Sequence, residues 1–305
     1  MMKDIYLFIY TFHMPLFIFV SGYFSKTVLD GKQFRITKVI LYLFLYLLLK
    51  LCFFVLSRYI FGDTNTQFRF FVEGGPPWYL FAMSVWLCIS YVIQNIKPVI
   101  VICFSVIIGV LVGYYKIVTV VDFFSLSRIL VFFPFFISGY YFNGTDLVKI
   151  LKCIWLKRFS LIIITIVFIV IFVYGRDLYT LRGFFTGRNS YIALGEPVFG
   201  GIYRFLFYGL STIISLAIMY ITPNGRIFIT KFGNRTLQVY FIHYLVLSVY
   251  HHYGLEIYLM KVFPYNWELV YLCLAVGLAF VLSLKIFEFP FKKIMGLKLN
   301  KILRK

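Results

Sequence analysis

Residues 158–175 read Arg-Phe-Ser-Leu-Ile-Ile-Ile-Thr-Ile-Val-Phe-Ile-Val-Ile-Phe-Val-Tyr-Gly, with no charged side chain after Arg158. A helix that crosses the hydrocarbon core of a membrane needs about 20 predominantly apolar residues, because its own backbone must satisfy every polar group there. This stretch, entered through Lys157 and Arg158, meets that need. The same reading along the chain gives nine candidate spans, near 5–24, 37–61, 78–95, 97–114, 125–142, 158–175, 203–221, 236–253 and 267–289. The predicted fold is therefore all-α, a polytopic transmembrane helix bundle of about nine spans, organised as one integral-membrane domain over residues 1–305. The period-two alternation of an outer-membrane barrel is not seen.

Composition agrees. Of 305 residues, 62% are hydrophobic and only 13% charged, against roughly a quarter charged in soluble domains, so a soluble enzyme is excluded. The charge is lopsided, with 30 Lys and Arg against 11 Asp and Glu. Nucleic-acid binding needs cations gathered on one face, and here they form short clusters between apolar runs, which suits membrane topology instead. The basic tail Lys292, Lys293, Lys298, Lys301, Arg304 and Lys305 puts the C-terminus in the cytoplasm. Counting alternate loops backward from that tail gives 18 cations on the cytoplasmic side and seven on the other, among them Arg176, Arg182 and Arg188. The N-terminus then lies outside. The first span is not a cleavable signal peptide, since His13 and Pro15 interrupt it and no small-x-small site follows. Pro15 is expected to kink or start a helix, leaving 5–14 as a separate short segment. The five cysteines have no paired spacing for metal or redox chemistry and read as small buried hydrophobes.

Ionisable groups inside spans are the first candidates for chemistry. His13, in Phe12-His13-Met14-Pro15-Leu16-Phe17, and His243, in the eighth span, are the side chains best placed by their ordinary pKa for proton transfer. A capping role at the Pro15 break, for His13, and an interhelical hydrogen bond, for His243, are the alternatives. Along the helix His243 shares a face with Val239 rather than with Gln238, and Tyr240 is the expected polar neighbour. Arg35 and Lys38 open the second span from the cytoplasmic side; a guanidinium fork and an ammonium point charge suit a ligand with several phosphates, or else simply anchor the helix. Trp78 and Tyr79, after Gly74-Gly75-Pro76-Pro77, mark an interface where rings settle and can stack on sugars. Arg128, close to hydrocarbon, wants an acceptor or snorkels to the surface. The longest external connection, about 176–202, mixes Arg176, Arg182 and Arg188 with Asp177, Asn189, Ser190, Tyr191 and Glu196, and Arg204 follows it. A connection of that length is functional or disordered, and its aromatic and hydrogen-bonding content fits a sugar-facing surface. Arg188, Glu196 and Arg204, with Trp78, Tyr79 and Arg128, are the expected substrate contacts. No phosphate-binding loop, dinucleotide fingerprint, zinc spacing or serine elbow occurs.

Four blocks resemble the integral-membrane acyltransferase family 3, in its branch of fucose-4-O-acetylase-like sugar O-acetyltransferases. They are Phe12-His13-Met14-Pro15-Leu16-Phe17 running to Ser21-Gly22-Tyr23; Trp78-Tyr79-Leu80; Arg128 with Phe133-Pro134-Phe135-Phe136 to Gly139-Tyr140; and Gly233-Asn234-Arg235-Thr236-Leu237 to Tyr240-Phe241-Ile242-His243. The resemblance implies ten transmembrane helices in the plasma (inner) membrane of a bacterium. It implies acetyl-CoA as the donor substrate from the cytoplasmic side, with no metal, and an acceptor hydroxyl on a cell-surface glycan or its lipid-linked precursor. Membrane lipids are the other partner, and nucleic acid is not one. It places His13 and His243 as catalytic residues and Arg35 with Lys38 as donor contacts. The family's opening helix, which ends in a histidine of its own, has no counterpart here, and nine spans rather than ten is what its loss leaves. A start placed too late is the preferred account; an altered or inactive member is the other. A glycan permease or exporter is the competing function, against which stands the lack of an internal repeat between the halves.

Overall fold

In a computed structural model, residues 2–29, 35–70, 75–115, 124–144 and 154–295 are described, apart from 224, 226, 229 and 234. All regular structure among these residues is helical. In chain order the helices are α1 (Met2–Leu29), α2 (Ile36–Val55, continued by a π turn, Leu56–Ile60), α3 (Trp78–Val92), α4 (Pro98–Leu111, closed by a 3-10 turn, Val112–Tyr114), α5 (Leu126–Tyr141), α6 (Ile154–Leu178), α7 (Arg182–Phe185), α8 (Gly200–Ile221), α9 (Thr230–Gly233), α10 (Thr236–His252), α11 (Leu255–Val262), α12 (Trp267–Leu282) and α13 (Glu288–Met295).

Each segment read as a span folds as helix. Among the described residues four, within α1, α2, α6 and α8, are long and apolar enough to cross a membrane unaided. A fifth results if α12 and the helix after it form one span bent by 59°, so the expected unbroken helix over 267–289 is instead interrupted at Ser283 and Leu284. The helices α3, α4 and α5 are apolar but shorter. Ile162, Ile166, Ile169, Phe172 and Val173 are all exposed along α6. A continuous apolar face turned away from the protein needs acyl chains around it, and the chain is an all-helical membrane protein. Cys88, Cys103 and Cys273 are likewise exposed and Cys52 is half-buried. The expectation of buried cysteines is corrected: on these apolar helices the small thiols face outward rather than into the protein core. Cys153 lies outside the described residues.

The helices group into two compact units. The first unit holds α1, α4 to α8 and most of α3, with α1 packed against α5, α6 and α8. Leu7, Thr11, Pro15, Ile18, Gly22 and Ser25 are buried along α1 at helical spacing. Packing along that single stripe holds α1 together, so α1 runs unbroken through Pro15 and the expected separate segment over 5–14 does not exist. The α1–α5 crossing is reciprocal. Gly22 rests on the Phe136 carbonyl and Gly139 on the Phe19 carbonyl, each with no room for a Cβ. Both glycines sit in a Ser-Gly-Tyr triplet, Ser21–Tyr23 and Ser138–Tyr140, a small-residue contact that lets two membrane helices meet backbone to backbone. The interior of α5 is fixed by its neighbours: Trp86 Nε1 donates to Ile129 O at 3.0 Å. Pro134 has no amide for the Leu130 carbonyl, and in that loosened turn the Tyr208 hydroxyl donates to Val131 O at 2.7 Å.

The second unit holds α2 and α9 to α13. Here α10 packs against α2, α11, α12 and α13. Phe241 and Phe291 meet edge-on at 5.2 Å between ring centres.

Candidate functional site

In the first unit the N-terminal turns of α1, α5 and α8 come together with the connection 179–199, whose order is set by buried anchors. Tyr191 is fully buried: its amide donates to Gly113 O at 2.8 Å and its hydroxyl to Val110 O at 2.7 Å. Gly113 and Gly200 lie against its ring, where a Cβ would collide. Burial pushes the Tyr191 phenol up, against the opposing pull of Arg204. Ser127 Oγ donates to Gly187 O at 2.7 Å, and Gly187 takes a positive φ of 64° to let the chain turn there. The Tyr114 hydroxyl donates to Val198 O at 3.0 Å and accepts from Gly201 N at 3.2 Å. The connection is a built surface, and α8 begins at Gly200, earlier than the sequence spacing indicated, because Gly200 and Gly201 can approach Tyr191 and Tyr114 closely.

A cleft of about 260 Å³ opens in this surface, lined by Tyr6, Arg182, Gly183, Thr186, Arg188 and Asn189. Arg182 donates to the Tyr179 hydroxyl and lies over the rings of Tyr6 and Tyr179, 5.7 and 4.6 Å from their centres. Beside the cleft, Arg204 is 2% exposed and donates through one nitrogen to Phe184 O at 2.6 Å, with the rest of its guanidinium turned to Tyr191. Its guanidinium stands 5.7 Å from the Tyr191 ring centre. Arg128, in the first turn of α5, is also buried and stacks over Trp78 at 5.3 Å. Guanidinium planes, hydroxyls, an amide and aromatic faces together make a surface that can hydrogen-bond to and stack on a polyhydroxylated or anionic ligand.

In the second unit, His243 is half-buried on α10 with Nδ1 2.7 Å from Val239 O. A carbonyl only accepts, so the neutral ring carries its proton on Nδ1 and keeps the Nε2 lone pair available as a base. Tyr240 and Tyr244 flank it, at 6.2 and 4.4 Å between ring centres, and Tyr79 meets Tyr240 at 5.4 Å. The preceding residues do something else. Arg235 Nε donates to Glu288 at 2.9 Å and its terminal nitrogen to Ser283 O at 3.0 Å. Gln238 Nε2 donates to Leu282 O at 2.6 Å and Leu284 O at 3.0 Å. These side chains satisfy the carbonyls that the α12–α13 break releases, so Gln238 is turned away from any role beside His243.

Of the residues singled out from sequence, Arg188 lines the cleft and Arg128 pairs with Trp78, whereas Glu196 contributes through its backbone, its amide donating to Tyr191 O at 2.9 Å. His13 is exposed on α1, parallel to Phe17 at 6.4 Å, and is not part of the cleft lining. Arg35 is exposed one residue before α2 and Lys38 is half-buried in its first turn. Sequence reasoning missed Tyr6 and Thr186 as cleft residues and left Arg182 and Asn189 unassigned. The positions 182, 186 and 189 follow helical spacing, which was the available signal for three of them. Among the described residues no group of three or more His, Cys, Asp or Glu could hold a metal ion.

No curated protein and no solved structure matches the chain. A family model does, the Acyl_transf_3 acyltransferase domain, over residues 1–287. That match spans both histidines, the cleft and the α12–α13 break, and with the apolar helices it identifies the chain as a multi-pass membrane acyltransferase belonging to the Acyl_transf_3 family.

Proposed function

We propose that the protein moves an acetyl or related acyl group from cytoplasmic acetyl-CoA, or another acyl-CoA, to a hydroxyl of a cell-surface polysaccharide or its lipid-linked precursor, within the sugar O-acetyltransferase branch of its family. The observation that supports a sugar acceptor is the cleft beside α7, where hydroxyl, amide and guanidinium groups surround an aromatic ring. In this reading Trp78, Tyr79, Arg128, Arg188, Glu196 and Arg204 belong to the acceptor side, and Arg35 with Lys38 to the phosphates of the donor. His243 Nε2, with His13 as the other candidate, takes the proton of the acceptor hydroxyl as its oxygen forms a bond to the thioester carbonyl carbon. The tetrahedral oxyanion then collapses, the carbon–sulfur bond breaks, and the departing thiolate receives the proton from the imidazolium. The setting is the inner membrane of a bacterium with the C-terminus in the cytoplasm, as the basic tail supports.

The test is transfer of radiolabelled acetyl from acetyl-CoA to glycan acceptors in membranes that contain the full-length protein. Label should appear on the glycan and fall at least about a hundredfold in His243→Ala, the usual scale of a lost general base. Undiminished transfer in both His13→Ala and His243→Ala would remove the histidines from the chemistry. Transfer to no glycan at all would favour export over acylation.

A further inference from the structure

We infer that the connection 61–70 turns back into the membrane beside α2 and lines a water-filled inlet that descends to Lys50, a passage for a hydrophilic acyl acceptor. Every residue of it belongs to the second unit, and the word acceptor rests on the acyltransferase reading. The depth of Lys50 follows from helix length. Arg35 and Lys38 stand at one end of α2, and the helix runs on without a break to Ile60. At 1.5 Å per residue Lys50 lies about 18 Å beyond Lys38, and Arg58 about 30 Å beyond it. A hydrocarbon core is about 30 Å thick. Lys50 is therefore inside the core and Arg58 at its far edge. The outward apolar face of α2, made by Ile36, Ile40, Phe44, Leu47, Leu51 and Val55, continues past Lys50, as a helix still in lipid requires.

Beyond that edge the chain reverses. Asp63 N donates to Ser57 O at 3.1 Å, Asn65 N donates to Asp63 Oδ1 at 3.0 Å, and Arg58 donates to Thr64 O. From there the chain passes down α2 in register. The Ser57 and Thr66 hydroxyls meet at 2.8 Å, the Phe54 and Phe68 rings edge-on at 5.7 Å, and Lys50 Nζ donates to Phe70 O at 3.1 Å. Ser57 to Lys50 is about 10 Å of helix, and Thr66 to Phe70 about 13 Å of extended chain, so Phe70 ends level with Lys50. Irregular backbone at such depth is tolerated only where protein buries it or water reaches it. Gln67, Phe68, Arg69 and Phe70 are all exposed, which leaves water, and the Gln67 amide and Arg69 guanidinium need it too. At the floor Lys50 Nζ also donates to the Tyr46 hydroxyl at 3.1 Å, and stands 5.3 Å from the centre of that ring and 6.0 Å from that of Phe68. An ionisable group at mid-span, held by hydroxyl and carbonyl oxygens, marks a polar pathway. The helix α10, which carries His243, packs against α2 in the same unit, so the passage leads toward the proposed base.

The experiment uses the full-length protein in discs of zwitterionic phosphatidylcholine and a permanently charged thiol reagent, a trimethylammonium methanethiosulfonate. Modified positions are located by mass spectrometry, so the native cysteines stay in place. Gln67→Cys and Phe70→Cys should react at least about tenfold faster than Leu51→Cys, which stands at the depth of Lys50 on the lipid face, because a reactive thiolate and a charged reagent both need water. The Gln67 side chain is exposed, so its replacement should leave the melting temperature at the parent's value and keep the comparison valid if Phe70→Cys unfolds. Radiolabelled acetyl transfer to glycan acceptors is then measured before and after the reaction. The adduct on Phe70→Cys should abolish most of the transfer, whereas Leu51→Cys treated in the same way should keep the parental rate. Labelling at Gln67→Cys and Phe70→Cys no faster than at Leu51→Cys overturns the inlet. Fast labelling with transfer indifferent to the adduct keeps water at Lys50 and overturns the acceptor's passage through it. Fast labelling in a protein that acylates no glycan removes the enzymatic reading and leaves the inlet standing.

Discussion

Replacing Gly139 by alanine places a methyl group where α5 touches α1. The added carbon would stand 2.8 Å from the Phe19 carbonyl carbon and 3.0 Å from Tyr23 N, whereas non-bonded carbons rest at about 3.5–4.0 Å. The shortfall is on the order of 0.7 Å, more toward the carbonyl oxygen, and the obstacle is helix backbone that cannot rotate aside. The helices must therefore part by roughly 1 Å over a crossing that also carries the Lys26 bond to the Phe142 carbonyl. Overpacking of a well-fitted contact costs about 1–3 kcal/mol, and a backbone obstacle places this case near 3. Gly22→Ala meets the mirror arrangement, 2.9 Å from the Phe136 carbonyl carbon and 3.1 Å from Tyr140 N, and should cost as much. Because one separation of the helices relieves both clashes, the double variant should lose clearly less than the sum, with a coupling of about 1 kcal/mol or more. Reversible unfolding in bicelles with increasing sodium dodecyl sulfate, followed by tryptophan fluorescence, measures all three. Strictly additive losses, or single variants as stable as the parent, would refute the backbone-to-backbone crossing.

Gln238→Leu should lower stability by roughly 2–4 kcal/mol, since two carbonyls at the α12–α13 break lose their donor; a melting temperature equal to the parent's would show that the break is satisfied otherwise. His243→Gln should do the opposite, leaving melting nearly unchanged while kcat falls by about a hundredfold or more, and a stability loss with retained kcat would make the histidine a strut. Arg204→Met removes a buried charge that donates to Phe184 O. It is expected to be neutral or stabilising in a melt while raising KM for the acceptor; collapse of the fold would reassign Arg204 to structure. Cys88, Cys103 and Cys273, exposed on apolar helices, should react slowly with a charged maleimide in intact membranes and quickly after detergent extraction. Fast labelling in both states would mean that they face water.

What could be read without the structure follows from which interactions are local. Hydrocarbon length and loop charge are properties of short stretches, so every span appears as helix at or near its expected place. The misreadings are tertiary. A proline rule written for an isolated helix predicted a break at Pro15, but the buried stripe from Leu7 to Ser25 outweighs one missing amide. No helical rule predicted the break at Ser283 and Leu284, because the groups that make it tolerable, Arg235 and Gln238, lie more than 40 residues away. The twin Ser-Gly-Tyr triplets were visible as text, yet only the crossing of α1 and α5 gives their likeness a meaning.

The site divides along the same line. Arg188 and Arg204 drew attention because a long external connection rich in hydrogen-bonding and aromatic groups is conspicuous, and both stand in or beside the arginine-lined surface. Tyr6 has no such signal, since its contribution depends on α1 beginning next to a connection about 175 residues later in the chain. Glu196 shows the converse: a charge chosen for its type that holds the connection through its backbone amide and carbonyl. The block from Gly233 to His243 is read best as two functions in series. Its first turn ties α10 to the broken end of α12 through Arg235 and Gln238, and that tie fixes the rotation of α10, which in turn decides where His243 presents Nε2. A substitution at Gln238 can therefore lower activity without touching substrate, through the angle at which α10 is held, and only a comparison of melting with kcat separates that effect from lost chemistry at His243.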